Sequence, residues 1–280
     1  MNKTLAIFEL MRLDKPIGIY LLLWPALLAL VISSNGNFEY VDLIIVIIGS
    51  ILVRSAGCVI NDIWDKDLDG GVERTKTRPI PSKKLSISES WVVFAVLSIL
   101  SLMLLSLTNA NTILISICFG LMIVVYPLTK RFFIGPQIFL GLTFNPTIIV
   151  YAMTNELNNP TMIFLYLAIA AKTIAFDSFY GLCDIEDDKK LGIHSTPLWW
   201  GSKTLLIIAI LQFAVISFLL IVGLKAELSS AWYIGIILLS GFYFYQHRLA
   251  SQKNFLLAFK NNHWASLYLL TLSVFCFLII

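Results

Sequence analysis

The sequence predicts an all-α integral membrane protein, a bundle of about nine transmembrane helices. Of its 280 residues 58% are hydrophobic and only 13% charged, with a mean hydropathy of +0.85; soluble domains carry about 25% charged residues. Apolar runs close to the ~20 residues that cross a hydrocarbon core recur along the whole chain. The charged residues collect in the connections, and two acidic clusters stand at matching ends of apolar segments, from Asn61 to Asp69 and from Asp184 to Asp188.

The nine predicted spans are 16–33, 41–60, 90–107, 111–128, 132–153, 161–182, 204–223, 230–246 and 263–280. The connections 33–40, 108–111, 154–160 and 225–229 are short, and no linker rich in Pro, Gly or Ser divides the chain, so residues 1–280 read as one domain. The longest connection, 61–89, follows the second span; Pro79 and Pro81 stop any helix continuing past the first acidic cluster. Long loops commonly carry function. The opening decapeptide is too polar and too short for a cleaved signal, so the first span is expected to direct insertion.

The basic residues fix an orientation. Lys3, Arg12 and Lys15 precede the first span, and Lys66, Arg74, Lys76, Arg78, Lys83 and Lys84 follow the second. Lys130 and Arg131 follow the fourth, Lys189, Lys190 and Lys203 the sixth, and Arg248, Lys253 and Lys260 the eighth, against Lys225 alone on the other side. The positive-inside rule puts the N-terminus and both acidic clusters in the cytoplasm and the C-terminus outside, which an odd helix count also requires. Cys58, Cys118, Cys183 and Cys276 lack CxxC spacing and read as small packing residues rather than a disulfide or zinc framework.

The acidic clusters carry the chemistry. Two carboxylates about 6 Å apart repel by roughly 3 kcal/mol at an effective dielectric near 20, and the rest of the chain offers few charges to neutralise them. If the first cluster continues its helix, Asn61, Asp65 and Asp69 recur at i, i+4 and i+8 as one stripe; Asp184 and Asp188 repeat that spacing in the second. Hard oxygen donors without imidazole or thiolate favour Mg²⁺. Mg²⁺ usually binds through one or two carboxylates plus substrate phosphates, so two clusters suggest a diphosphate held between two metal ions. Solvated loop acids flanked by Lys66, Lys189 and Lys190 are the plainer reading, and it leaves the repeated spacing unexplained.

A charge precedes each cluster by seven residues, Arg54 before Asn61 and Asp177 before Asp184, about two helical turns and therefore on the same face. Placing either in hydrocarbon costs roughly 2.5–3.5 kcal/mol, so both are expected to line a cavity. The echo fits a duplicated bundle whose halves face that cavity. Lys172 is expected to snorkel to a helix end. Arg74 and Arg78, in the loop after the first cluster, have the fork geometry to close over a phosphate; Arg12, Lys15, Lys130 and Arg131 are on the same side. His194, His247 and His263 have no ligand spacing and read as interfacial.

These residues resemble a known family. Arg54, Asn61, Asp62, Asp65 and Asp69, followed by Arg74 and Arg78, match the NDxxDxxxD signature of the UbiA-type membrane prenyltransferases, and Asp184 to Asp188 is similar to their second motif, DxxxD. The stretch from Met11 to Gly18, then Leu23, Trp24 and Pro25, and the run from Tyr126 to Arg131 are similar to the branch that prenylates 4-hydroxybenzoate. The resemblance covers about residues 10–205 and implies nine helices around a central cavity, in a multi-pass protein of the bacterial inner membrane. It further implies transfer of a polyprenyl group from polyprenyl diphosphate to the ring carbon ortho to the hydroxyl of 4-hydroxybenzoate, with release of diphosphate, in ubiquinone biosynthesis. Asn61, Asp65 and Asp69 would serve one Mg²⁺ and Asp184 and Asp188 the other, with Asp62 and Asp187 supporting. Arg12, Lys15, Arg74, Arg78, Lys130 and Arg131 would meet the diphosphate. Asp177 would accept the ring proton or orient the phenol, Arg54 would anchor the carboxylate, and Trp64, Tyr126 and Phe179 offer rings to the allylic cation. Membrane lipid is an expected partner and nucleic acid is not. Phe176 stands where the family often has Tyr, His194 where it often has Lys, and Lys172 where an apolar or aromatic residue is usual, so acceptor and phosphate contacts are expected to differ in detail. A sister enzyme acting on haem or dihydroxynaphthoate is the neighbouring alternative. A divalent-cation transporter is more distant, because its ionisable residues belong near the bilayer midplane.

Overall fold

The computed structural model describes residues 3–70 and 75–279, and among them the only regular elements are helices. In chain order these are α1 (Lys3–Leu10), α2 (Ile17–Ser33), α3 (Tyr40–Trp64), α4 (Lys66–Asp69), α5 (Ile87–Leu105), α6 (Ala110–Thr129) and α7 (Pro136–Thr143). Then follow α8 (Thr147–Met153), α9 (Thr161–Leu191), α10 (Thr196–Trp200), α11 (Thr204–Lys225), α12 (Ser230–Ser251) and α13 (Phe255–Leu278). Helix covers each of the nine apolar runs, and five helical stretches are long and apolar enough to cross a membrane by length and composition.

Two departures from the predicted boundaries matter for the site. The fifth run breaks at Phe144, Asn145 and Pro146, because Pro146 has no N–H to donate and disfavours helix at the residue before it. Asn145 repairs the break: its side chain donates to the Tyr166 carbonyl (2.9 Å) and accepts from the Thr147 N–H (3.3 Å), while the Tyr166 hydroxyl donates to the Leu142 carbonyl (3.0 Å). Such satisfaction is what hydrocarbon demands of broken backbone. The last helix begins at Phe255 rather than at 263, so Lys260 lies on a helix instead of in a loop and His263 lies about two turns inside it instead of at its start.

Helix ends follow the local sequence. Ser86 and Glu89 form a reciprocal capping box at the start of α5. Gly192 ends α9 with φ +66°, a left-handed conformation that glycine adopts without steric cost. At the start of α6 the Asn109 side chain accepts from Thr112 N–H and donates to the Ala152 carbonyl (2.7 Å), which ties α6 to the end of α8.

The main core lies among α2, α8, α9, α11, α12 and α13, where Trp232, Tyr151, Leu165 and Leu219 are buried. By contrast α5 buries only Ser90 and Leu97, and turns Ile99 and Met103 outward; α6 turns out Leu114 and Val125. A contiguous apolar exterior of this kind suits lipid. These two helices form a thin wall, and the cavity lies behind them.

Candidate active site

A cavity of about 1470 Å³ runs inside the bundle, larger than the roughly 300–1,000 Å³ of a typical small-ligand pocket. Its polar end is lined by Asn61, Asp62, Asp65 and Asp69 from α3 and α4 and by Asp184, Asp187 and Asp188 from α9. Along α3 the lining continues to Ile45, roughly 24 Å of helix at 1.5 Å per residue. There it becomes apolar, with Leu105, Ile117, Leu121 and Met153. The two acidic clusters therefore face one space, and so do Arg54 and Asp177.

The first cluster is not one uninterrupted helix. The backbone turns at Asp65, between α3 and α4, yet Asp65 N–H donates to the Asn61 carbonyl (2.9 Å) and Asp69 N–H to the Asp65 carbonyl (2.8 Å). The four-residue rhythm survives the break, which keeps Asn61, Asp65 and Asp69 on one stripe; the Asn61 amide donates to Asp65 Oδ2 (3.2 Å).

Charge neutralisation comes from distant parts of the chain, contrary to the expectation that few charges serve it. Arg12 donates from one nitrogen to both carboxylate oxygens of Asp62 (2.9 Å each). Arg78 bridges Asp62 (3.1 Å) and Asp69 (2.7 Å), and Lys130 donates to Asp65 Oδ2 (2.6 Å). Asp62 is only 1% exposed, so an uncompensated charge there would be costly. Arg12 makes its contact from a backbone with φ +58°, a conformation that costs an L-residue roughly 1–2 kcal/mol.

Asp65 keeps one demand unmet: its Oδ1 is buried and has no hydrogen-bond partner. Burial raises its carboxyl above the usual aspartate range and the neighbouring Lys130 opposes that rise. On α9, Asp177, Asp184 and Asp188 recur along one face of a continuous helix, and Asp187 meets Lys190 at 3.5 Å. Among the described residues no three His, Cys, Asp or Glu side chains converge closely enough to hold a metal ion alone.

Deeper in the cavity, Arg54 stands over the Phe144 ring, 5.3 Å from its centre, and its Nε is buried without a hydrogen-bond partner. Asp177 is within electrostatic reach of Arg54, Asp184 and Asp188, yet no ion pair joins it to Arg54 among the described residues. Tyr126 and Tyr180 complete this wall.

Lys15 lies at the rim, and Arg131 is exposed outside the lining, donating to the Trp64 carbonyl (2.5 Å). Arg74 falls outside the described residues. Three sequence readings are corrected. Trp64 donates to the Val124 carbonyl and meets Trp91 edge-on, and Phe179 is buried beside Leu249 and Ala250, so neither ring lines the cavity; Tyr126 does. Lys172 does not snorkel: it is 4% exposed, with Nζ held by Ser266 Oγ and the Asn262 carbonyl over the Phe176 ring. His263 is a cavity residue whose Nδ1 accepts from Trp24 Nε1 (2.9 Å) and whose ring lies on Tyr20. Its helix was predicted to begin only at that residue, so no face could be assigned to it.

Residues 22–278 match the model of the UbiA prenyltransferase family. The chain belongs to the UbiA prenyltransferase family. Among curated relatives of this prenyltransferase is the 4-hydroxybenzoate octaprenyltransferase of Pseudomonas aeruginosa strain PAO1, 41% identical over 265 residues that cover 92% of this chain and 89% of the relative. The protein of the same name from Vibrio campbellii is 39% identical over 95% of each. Among solved structures, the apo UbiA homologue from Aeropyrum pernix superposes with a TM-score of 0.80 at 21% identity, covering 90% of this chain and 94% of that one. A UbiA homologue from Archaeoglobus fulgidus bound to GPP and Mg²⁺ gives 0.74 at 18% identity, covering 98% and 100%. At these identities the two structures establish the shared fold. Family membership and the apolar helices make the prenyltransferase a multi-pass membrane protein.

Proposed function

We propose that this prenyltransferase moves a polyprenyl group from polyprenyl diphosphate to the ring carbon of 4-hydroxybenzoate ortho to the hydroxyl, releasing diphosphate, as a step of ubiquinone biosynthesis. The observation that carries the reading is the polar content of one cavity. Acidic clusters from α3/α4 and α9 line the same space, and so does Arg54, whose buried Nε has no hydrogen-bond partner. Relatives near 40% identity over nine-tenths of both chains bear the name of that activity.

The donor set suits Mg²⁺: oxygen ligands only, with a buried Asp65 oxygen lacking a partner. Asn61, Asp65 and Asp69 would hold one ion and Asp184 and Asp188 the other, with Asp62 and Asp187 alongside. Bound Mg²⁺ supplies charge stabilisation to the departing diphosphate. The protein's own residues do the rest. With the carboxylates committed to cation, Arg12, Arg78 and Lys130 would turn to diphosphate oxygens, joined by Lys15 at the rim and by Arg74, which the sequence places in the loop after the first cluster. Breaking of the allylic C–O bond then leaves a carbocation beside the Tyr126 ring. Arg54 holds the acceptor carboxylate, and Asp177 orients the phenol or takes the proton that the ring carbon loses once the new C–C bond has formed. The apolar length of the cavity takes the isoprenoid tail. The whole reaction is assigned to one helical domain in the bacterial inner membrane, with the N-terminus and both acidic motifs in the cytoplasm, the C-terminus outside, and lipid as the surrounding partner.

The test is direct. Purified protein, a polyprenyl diphosphate, 4-hydroxybenzoate and Mg²⁺ are combined and the product is weighed by mass spectrometry. The prenylated acid is expected, lost with chelator and restored by added Mg²⁺. Prenylation of dihydroxynaphthoate or haem in its place, or cation flux into sealed vesicles without diphosphate release, would overturn the assignment.

A further inference from the structure

We infer that Gly18 is a positioning residue for Arg54. By carrying no side chain on the first turn of α2, it seats the guanidinium between the α2 backbone and the Phe144 ring and so sets the enzyme's preference for a carboxylate-bearing acceptor. The inference rests on the reading of Arg54 as the carboxylate anchor.

Glycine is an unfavourable choice at this position. Gly18 has no left-handed φ, and alanine is about 1 kcal/mol better inside a helix, so conformation does not call for glycine. Space does. A Cβ on residue 18 would lie 2.5 Å from Arg54 Nε, 2.7 Å from Nη2 and 3.0 Å from Cζ. All three atoms belong to the far end of a flexible side chain, so an alanine would be accommodated by displacement of the guanidinium and not by movement of α2.

The arginine has little to resist such displacement. Its Nε is buried without a hydrogen-bond partner, and its recorded contact on the cavity side is the Phe144 ring, 5.3 Å from Cζ. Phe144 is placed there by the break between α7 and α8. The head group is therefore positioned by packing from two sides, with Gly18 forming one of them. Shape fixes where the charge sits, and a change in shape moves it without removing it.

The experiment compares steady-state kinetics with 4-hydroxybenzoate and with its methyl ester for the parent, Gly18→Ala, Arg54→Gln and the double variant. Gly241→Ala serves as control, because Gly241 is on α12 with nothing within 4 Å of an added Cβ. Gly18→Ala is expected to keep the parent melting temperature and raise KM for the acid about tenfold, the size expected when a hydrogen bond to a charged group is misplaced. Its kcat and its KM for the prenyl diphosphate should change less than about twofold, since those interactions are made elsewhere. The preference for acid over ester should collapse, and the double variant should be no worse than Arg54→Gln. Should Gly18→Ala fail to fold, Phe144→Leu loosens the opposite side and is expected to give the same KM split. If Arg54→Gln abolishes the preference while Gly18→Ala and Phe144→Leu both retain it, the positioning role is wrong and the anchor stands. If Arg54→Gln retains the preference, the anchor itself is wrong.

Discussion

Asp65→Asn separates the chemistry of the acidic cluster from its folding. Asn has the same shape as Asp, so the Asn61 and Lys130 side chains keep a neighbour of unchanged size, while the negative charge is lost. In the free protein that charge is 2% exposed, is paired with Lys130 at 2.6 Å, and has one oxygen without a partner. Removing it relieves the desolvation of a buried carboxylate, and the Lys130 side chain, 23% exposed, can turn toward water. The net effect on stability should be within about 1–2 kcal/mol, because the burial cost and the ion pair oppose each other. The catalytic effect is one-sided. Unit charges about 4 Å apart at an effective dielectric near 20 interact by about 4 kcal/mol, so a lost metal-binding carboxylate should lower kcat/KM by about a thousandfold. Prenyl transfer measured at saturating Mg²⁺, alongside a melting curve in detergent, checks both halves. A folded Asp65→Asn protein with kcat/KM within about threefold of the parent would refute the metal-binding role and the dielectric reasoning behind it.

Two further outcomes follow from neighbouring residues. Burial holds the Asp65 carboxyl above its ordinary range, so it takes up a proton at a pH where an exposed aspartate is still ionised. Proton and cation compete for the same oxygens; the Mg²⁺ concentration for half-maximal turnover should therefore rise as pH is lowered toward the ordinary aspartate range, and a flat Mg²⁺ requirement down to that range would contradict it. Lys172→Met should leave activity unchanged and stability equal or higher by about 1–2 kcal/mol, because the buried ammonium has no carboxylate partner among the described residues. Its hydroxyl partner remains satisfied without it, since Ser266 Oγ also donates to the Asn262 carbonyl (2.8 Å). A lower melting temperature would show that the ammonium is a net stabiliser.

What the sequence made legible was periodic or local. Apolar runs announce spans through length alone, and the four-residue spacing of Asn61, Asp65 and Asp69 survives even the backbone break at Asp65 because the i→i−4 hydrogen bonds continue through it. The cluster's counter-charges were less legible as partners. Arg12, Arg78 and Lys130 stood out as basic residues on the correct side, but their pairing with Asp62, Asp69 and Asp65 spans separations of up to 65 residues that no local pattern encodes. Burial misled at Lys172 for a related reason. Snorkelling is the favourable outcome for a lysine facing lipid, and only the packing of α13 against α9 reveals that this one faces Ser266 and Asn262 instead.

The distribution of unmet polar groups then separates two kinds of charge in the cavity. At the mouth, Asp62, Asp65 and Asp69 each have a basic partner that can be exchanged for cation, so the free state is stable and ready to be reorganised by a metal–diphosphate complex. Deeper down, no such exchange is arranged: Arg54 is packed between Gly18 and the Phe144 ring, and Asp177 makes no ion pair with it. A group unsatisfied in the free protein loses little when a complementary ligand arrives and costs much if the wrong one does. The proposed diphosphate site is thus built to rearrange and the proposed acceptor site to discriminate. On that division, substitutions at the mouth should act mainly on metal and diphosphate dependence, and those around Arg54 on the choice of aromatic acceptor.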